Sequence, residues 1–246
     1  MTFLSYAQNF EDVLLWRALH DVERGRYIDI GAQDPEFDSV SFAFYKAGWR
    51  GIHVEPTPTY AAKLRDARPD ETVVEAAVTD AAGPIAFYEL GGLSSGRKDI
   101  AQHHEKSGHK PRKIVVPTVG LDNLLELEPG DVHWLKIDVE GMEADVLRSW
   151  RDSAVRPWIL VVESTFPNSE KPTQHLWIDE VLSRGYEECL FDGLSRFFVH
   201  ESHADLAERL NRPANVFDDY QITPGHFSAK LTKQEAEERQ RSVELR

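Results

Sequence analysis

The sequence predicts an α/β fold built on a seven-stranded, mostly parallel sheet that ends in an antiparallel hairpin. Three observations predict it. YIDIGAQD near residue 30 and WLKIDVEGMEADVL at 134–147 are short apolar runs that end in acidic residues and glycine and then open a helix. A parallel strand delivers side chains to the carboxyl edge of its sheet in this way, and open α/β proteins bind ligands at that edge. The third observation is YEECLFDGLSRFFVHE (186–201), which reads as two strands around the turn DGLS and so closes the sheet with a reversed strand.

The elements follow in order. Phe10, Val13, Leu14 and Leu19 recur at helical spacing, so residues 9–20 form an amphipathic helix with Asn9 or Gln8 as its cap. YIDIG (27–31) is the first predicted strand. SVSFAFYKAG (39–48) is a helix, with Ser39 as cap and Gly48 as stop. GIHVEP (51–56) is a strand ended by Pro56, TPTYAAKLRDA a helix, and ETVVEAAVTD (71–80) the third strand. PIAFYEL (84–90) breaks the alternation and pairs with VVPTV (115–119) as a small β excursion. The polar, glycine-rich segment between them reads as a long loop. LDNLLEL is a short helix. WLKIDVEG and WILVVES (158–164) are the fourth and fifth strands, the latter apolar throughout as a central parallel strand requires. HLWIDEVLSRG (175–185) is a helix stopped by Gly185, and ESHADLAERL another short helix. Residues 1–227 make one domain, introduced by an N-terminal helix within 1–24. Residues 228–246 are polar all round and read as a solvated helical tail.

Composition limits the functions available. The 246 residues suit one large α/β domain, and 41% hydrophobic residues supply its core. A net charge of −14 repels phosphate backbones and excludes nucleic acid as the expected partner. Cys189 is the only cysteine, so no internal disulfide forms and a reducing, cytoplasmic setting is expected. The N-terminus lacks a basic signal-peptide region, and no run reaches membrane-span length. Self-association is compatible with the chain.

The candidate site residues stand at strand ends. The turn Asp29-Ile30-Gly31-Ala32-Gln33-Asp34-Pro35-Glu36 has one glycine, where a pyrophosphate-binding turn needs G-x-G-x-x-G. Asp34, Glu36 and Asp38 crowd it, and two like charges ~4 Å apart repel by about 4 kcal/mol at an effective dielectric of ~20. Such a turn suits a cationic ligand, such as the sulfonium and ammonium of S-adenosylmethionine, and Gly31 lets the backbone approach it. Glu55 ends the second strand, where a carboxylate accepts ribose hydroxyls in both methyl-donor and NAD sites. Asp138, Glu140 and Glu143 follow the fourth strand, and Glu163 ends the fifth. Acids from adjacent strand ends bind Mg²⁺ or take a proton, with Asp138 and Glu163 nominated as the metal ligands. His175 opens a helix after the fifth strand and is, with Glu140, a candidate general base. His103, His104 and His109 lie in the long loop and are read as loop histidines rather than metal ligands.

YIDIGAQDPEFDSV, GWRGIHVEPTP, WLKIDVEGMEADVL and ILVVES, in this order, resemble the motifs of FkbM-type methyltransferases. K-I-D-V-E-G is the most specific block. Gln33 stands where the family usually has Asn, and Pro35 where it often has Gly. The resemblance implies the class I, Rossmann-like methyltransferase fold and S-adenosylmethionine-dependent O-methylation of a sugar or secondary metabolite. It implies that Asp29, Gly31 and Glu55 hold the donor, that Gln8, Asp12 and Ser39 help close its pocket, and that Asp138, Glu140 and Glu163 lie near the acceptor. The flanks SYAQNFEDVLLWRAL and YEECLFDGLSRFFV are similar to a subgroup encoded with polysaccharide assembly enzymes, so the expected acceptor is a carbohydrate, anionic or lipid-linked. Residues 97–113 carry six basic residues against two acidic ones, which reads either as a solvated, disordered loop or as a mobile lid that captures an anionic acceptor. The rival readings are an NAD-dependent oxidoreductase or epimerase on a nucleotide sugar, and a non-catalytic binding module of a glycan assembly protein.

Overall fold

The computed structural model describes residues 2–229, so the tail expected over 228–246 lies outside the described residues from 230 onward. The chain opens with β1 (Phe3–Ser5), α1 (Glu11–Leu19), β2 (Arg26–Ile30), α2 (Phe42–Lys46), β3 (Arg50–Val54), α3 (Pro58–Ala67) and β4 (Thr72–Val74). The excursion follows as β5 (Ala77–Val78), β6 (Ile85–Glu89), α4 (Lys98–Lys106), β7 (Arg112–Val116) and β8 (Thr118–Val119). The second half runs α5 (Leu121–Leu125), β9 (Trp134–Ile137), α6 (Glu143–Arg148), β10 (Ile159–Glu163), α7 (Ile178–Leu182), β11 (Tyr186–Phe191), β12 (Ser195–His200), α8 (Ala207–Leu210) and β13 (Tyr220–Ile222).

Seven of these strands form one sheet in the order β11-β12-β10-β9-β2-β3-β4. β12 alone is reversed, antiparallel to both β10 and β11. From the central β2, the chain builds outward through β3 and β4 on one side. It then returns to lay β9 and β10 on the other side. The crevice of such a sheet opens at this switch, beyond the carboxyl ends of β2 and β9.

Strand parity decides which residues reach the site. Ile28, Ile30, Leu135, Ile137, Leu160 and Val162 face α5, α6 and α7 in one core. Tyr27, Trp134, Ile159 and Val161 face α1, α2 and α8 in the other. Asp29 lies in register with His53 and with Lys136, and Lys136 with Val161. Side chains alternate with period two, so Asp29, His53, Glu55, Lys136, Asp138 and Glu163 all belong to this second face. The apolar residues of this face bury the inner part of each strand, and its charged residues stand at the carboxyl edge.

Several local expectations need correction. The cap of α1 is neither Gln8 nor Asn9 but Phe10, in the left-handed region at φ 66° with no side-chain cap bond. Ser39 does not cap α2, which begins after Ser41. The third predicted strand breaks into two: β4 joins the main sheet while β5 pairs with β8 in a separate ribbon. The excursion pairs β6 with β7 as expected, but residues 118–119 belong to the β5 ribbon instead. The long loop holds an ordered helix, α4, which buries Ile100, Ala101 and His104. β1 and β13, unread in the sequence, pair in parallel and tie the two ends of the described chain together. Among the described residues no helix is long and apolar enough to cross a membrane.

Candidate active site

A cavity of about 780 Å³ opens at the carboxyl ends of β2, β3, β9 and β10. Seven carboxyl groups line it, from Asp29, Asp38, Glu55, Asp138, Glu140, Glu163 and Asp192, against the single ammonium of Lys136. This is a volume typical of small-ligand sites, with a wall rich in carboxyl groups.

One half is organised by the ends of β2 and β3. Glu55 is buried, and its two oxygens are held apart: Oε1 accepts from the Thr57 amide at 2.8 Å and the Thr57 hydroxyl at 2.5 Å, while Oε2 accepts from the Gln33 amide at 3.1 Å. Burial raises its pKa, and the Thr57 and Gln33 hydrogen bonds oppose that rise. Gly31 lines the cavity, but its reason for being glycine differs from the expected approach to a ligand. At φ +84° it passes so close to the next strand that a Cβ would lie 1.7 Å from the Asp138 carbonyl oxygen. Ser39 lines the cavity too, with its hydroxyl 2.8 Å from Arg68 Nη2. Arg68 is fully buried and also reaches Ser41 Oγ at 2.8 Å and the His53–Glu71 pair. His53 is therefore a core residue in an ion-pair network beneath the site. Gln8 reaches the cavity, and its carbonyl lies 3.1 Å from His226 Nε2.

The other half is an acidic cluster. One oxygen each from Asp138, Glu140 and Glu163 lies within 4.8 Å of the others. Lys136 Nζ donates to Asp138 Oδ2 at 2.6 Å. Burial works against ionisation of Asp138, but the Lys136 charge and hydrogen bonds from Lys136 and Glu163 hold its pKa below the ordinary value. Glu140 is pushed up to about 9 by burial and then by the neighbouring Asp138 and Glu143 charges. Glu163 is raised well above the ordinary range, by burial first and by Asp138 next. Asp138 is thus the ionised member of the cluster. Glu140 sits in the left-handed region at φ 50°, a conformation that costs a non-glycine residue of order 1–3 kcal/mol. Gln33 and Asp38, also on the cavity wall, share that strain at φ 49° and 55°. Glu143 turns away and accepts from the Gly141 amide at 3.0 Å.

Two candidates lie outside the cavity. Asp12 is fully buried beside it and organises the N-terminal turn, accepting from Ser5 Oγ at 2.7 Å and from the Tyr6 and Ala7 amides at 2.7 and 3.2 Å. It closes the pocket only through that turn. His175 is exposed in a 3₁₀ turn before α7 and lines no part of the cavity, so it is not placed as a base. The basic segment 97–113 fails as a lid as well. Arg97 pairs with Asp99, Arg112 pairs with Glu89, and no residue from 97 to 113 lines the cavity. The parts of the excursion that do reach it are uncharged: Ala77 and Val78 of β5, Phe87 of β6, and the stretch Gly91, Gly92, Leu93 and Ser94.

Sequence reasoning missed Lys136 as a site residue, although its parity with Asp138 placed it there. It also missed the hairpin turn. Asp192 lines the cavity and accepts from the Leu194 and Ser195 amides at 2.8 and 2.7 Å. Nearby Glu11 is raised to about 8 by burial and by the Asp192 charge, against the pull of Lys136. Only the fold brings α1 and the hairpin together, so no local signal marks this wall.

An open sheet with one reversed strand, and an acidic crevice at its switch point, define the class I fold of S-adenosylmethionine-dependent methyltransferases. The methyltransferase FkbM domain model matches residues 29–191, and the chain belongs to that family. No curated protein matches the sequence. Among solved structures, a TehB-like SAM-dependent methyltransferase from Corynebacterium glutamicum shares 10% identity at TM-score 0.43, over 77% of this chain and 88% of that one. Magnesium protoporphyrin IX methyltransferase from Synechocystis, with bound SAM, shares 9% at TM-score 0.41, over 78% and 77%. An O-methyltransferase from Bacillus cereus in complex with SAH shares 9% at TM-score 0.39, over 76% and 78%. Family membership supports a SAM-dependent methyltransferase over the oxidoreductase reading.

Proposed function

We propose that this methyltransferase transfers the methyl group of S-adenosylmethionine to a hydroxyl of an uncharged sugar, within a polysaccharide or glycoconjugate. The observation that carries the proposal is the acidic lining of the cavity: seven carboxyl groups, with Asp138 held ionised, against one lysine. Such a wall attracts a donor that bears a sulfonium and an ammonium. It repels an acceptor bearing phosphate or uronate, and the basic segment expected to welcome one does not reach the cavity. Sugar hydroxyls, by contrast, donate hydrogen bonds to carboxylates without charge penalty.

In this reading Glu55 and Asp29 hold the nucleoside end of the donor, and Gln33 and Ser39 flank it. The methyl carbon points toward the ends of β9 and β10. The acceptor oxygen enters between the donor and the Asp138–Glu140–Glu163 cluster and attacks in line. Positioning supplies much of the rate, because it turns a two-body encounter into a one-body step. The hydroxyl proton passes to the cluster, where Asp138 is the member kept ionised by Lys136.

The test is calorimetry with S-adenosylhomocysteine, followed by paired neutral and uronate-bearing oligosaccharides titrated into that complex. The neutral member of each pair should bind more tightly, and the difference should shrink as salt screens the cavity. Tighter binding of the acidic member would overturn the acceptor class and leave the donor assignment intact.

A further inference from the structure

We propose that Asp138, Glu140 and Glu163 form a binding site for one hard divalent cation at the acceptor end of the cavity. The first observation is convergence. One oxygen from each of three carboxylates, carried by two adjacent strand ends, lies within 4.8 Å of the others. Calcium–oxygen bonds run 2.3–2.6 Å, so two ligands across one ion stand up to about 5 Å apart. The three oxygens therefore already span a calcium-sized coordination sphere. Magnesium, at 2.0–2.1 Å, holds opposite ligands about 4.2 Å apart, so it asks for a tighter arrangement of the same oxygens.

The second observation is independent of the clustering. Glu163 is 7% exposed, and its Oε2 has no hydrogen-bond partner outside the cluster. A buried carboxylate oxygen without a partner is costly, and it is rarely left so in a native fold. Glu140 Oε2 is in the same condition. Two of the three converging carboxylates, from two different chain segments, thus each carry an orphaned oxygen. The neighbouring Lys136 does not relieve them, because its ammonium is taken by Asp138 Oδ2 at 2.6 Å.

The all-carboxylate donor set selects the ion class. Oxygen ligands without thiolate or imidazole suit magnesium, calcium or manganese and not zinc or copper. Three protein ligands leave the rest of the coordination sphere to water or to acceptor oxygens. A vicinal pair of sugar hydroxyls fits that vacancy, and an ion there fixes the acceptor and makes the attacking hydroxyl more acidic. The site itself rests on the carboxylate geometry and not on the identity of the acceptor.

The experiment uses the full chain, freed of metal with chelator and then dialysed. Calcium, magnesium and manganese are titrated in separately by calorimetry, and manganese binding is read again from loss of the free-ion electron paramagnetic signal. One ion per chain is expected. Losing an outer-shell partner already costs 10–100-fold in metal affinity, so Glu163→Gln and Glu140→Gln, which remove ligand charge directly, should each weaken binding by roughly tenfold or more. Exposed Glu187→Gln on β11 should change nothing. Binding of S-adenosylhomocysteine, measured alongside in excess chelator, reports that each variant is folded and that the donor half is intact. No uptake of any of the three ions into the millimolar range, with S-adenosylhomocysteine still bound, overturns the site and leaves the methyltransferase reading standing. Uptake that survives in both glutamine variants places the ion elsewhere and overturns it too.

Discussion

A β-carbon on Gly31 would stand 1.7 Å from the carbonyl oxygen of Asp138. The donor turn and the acidic cluster are therefore locked together through backbone, with β2 and β9 in contact where the two halves of the site meet. Gly31→Ala has to push the strand ends apart and also place alanine at φ +84°. It should destabilise the fold by about 3 kcal/mol or more. Urea unfolding checks this, and an alanine variant as stable as the parent would show that the ends of β2 and β9 yield easily.

Glu55 anchors the other side of the donor turn. Its oxygens are already engaged by Thr57 and Gln33, so removal both loosens the turn and deletes the acceptor for a ribose hydroxyl. Glu55→Ala should raise the dissociation constant of S-adenosylhomocysteine at least tenfold, from loss of a charge-assisted contact worth about 1.5–3 kcal/mol. Unchanged affinity in a folded variant removes Glu55 from that role.

The acidic cluster should matter for turnover and not for donor binding. Asp138→Asn and Glu163→Gln are expected to lose most activity, by roughly 10²-fold or more where proton transfer is impaired, while S-adenosylhomocysteine still binds. Steady-state kinetics beside calorimetry separates the two effects. Loss of donor binding in both variants would move the cluster into the donor pocket.

Asp12 gives a prediction in pH. Burial raises its pKa from 3.8 to about 6, against the hydrogen bonds from Ser5, Tyr6 and Ala7. Between these values the folded chain keeps a proton that the unfolded chain has released. The stability from this group is fully present below about pH 4 and is lost as pH rises through about 6, a change of roughly 3 kcal/mol. Asp12→Asn should flatten that part of the profile, as read by urea unfolding at about pH 4 and about pH 8. A variant that keeps the full slope would assign it to other groups.

The sheet and the strand-end acids were legible because both follow from period-two burial. Tyr27, Trp134 and Val161 bury one face, and the same parity carries Asp29, Lys136 and Glu163 to the edge. The fate of 97–113 was not legible. Its charges suggested a solvated loop, yet Ile100 and Ala101 are apolar positions sufficient to dock one short helix against the Gly141 turn. The strand break at 75–76 falls on Glu75 and Ala76, both weak strand formers, and beyond it β5 pairs with β8. His175 looked well placed because it follows β10 closely, but the intervening turn carries it to the surface.

The central claim is methyl transfer to the hydroxyl of a neutral sugar. It is tested most directly by incubating the protein with S-adenosylmethionine carrying a ¹³C-labelled methyl group and a panel of neutral, amino and uronate-bearing glycans, free and lipid-linked. Each product is then read by carbon–proton correlation spectroscopy. A new methyl-ether resonance on a neutral sugar, absent in Asp138→Asn, is the predicted result. Label on nitrogen or carbon, or confined to the uronate-bearing glycans, would contradict it.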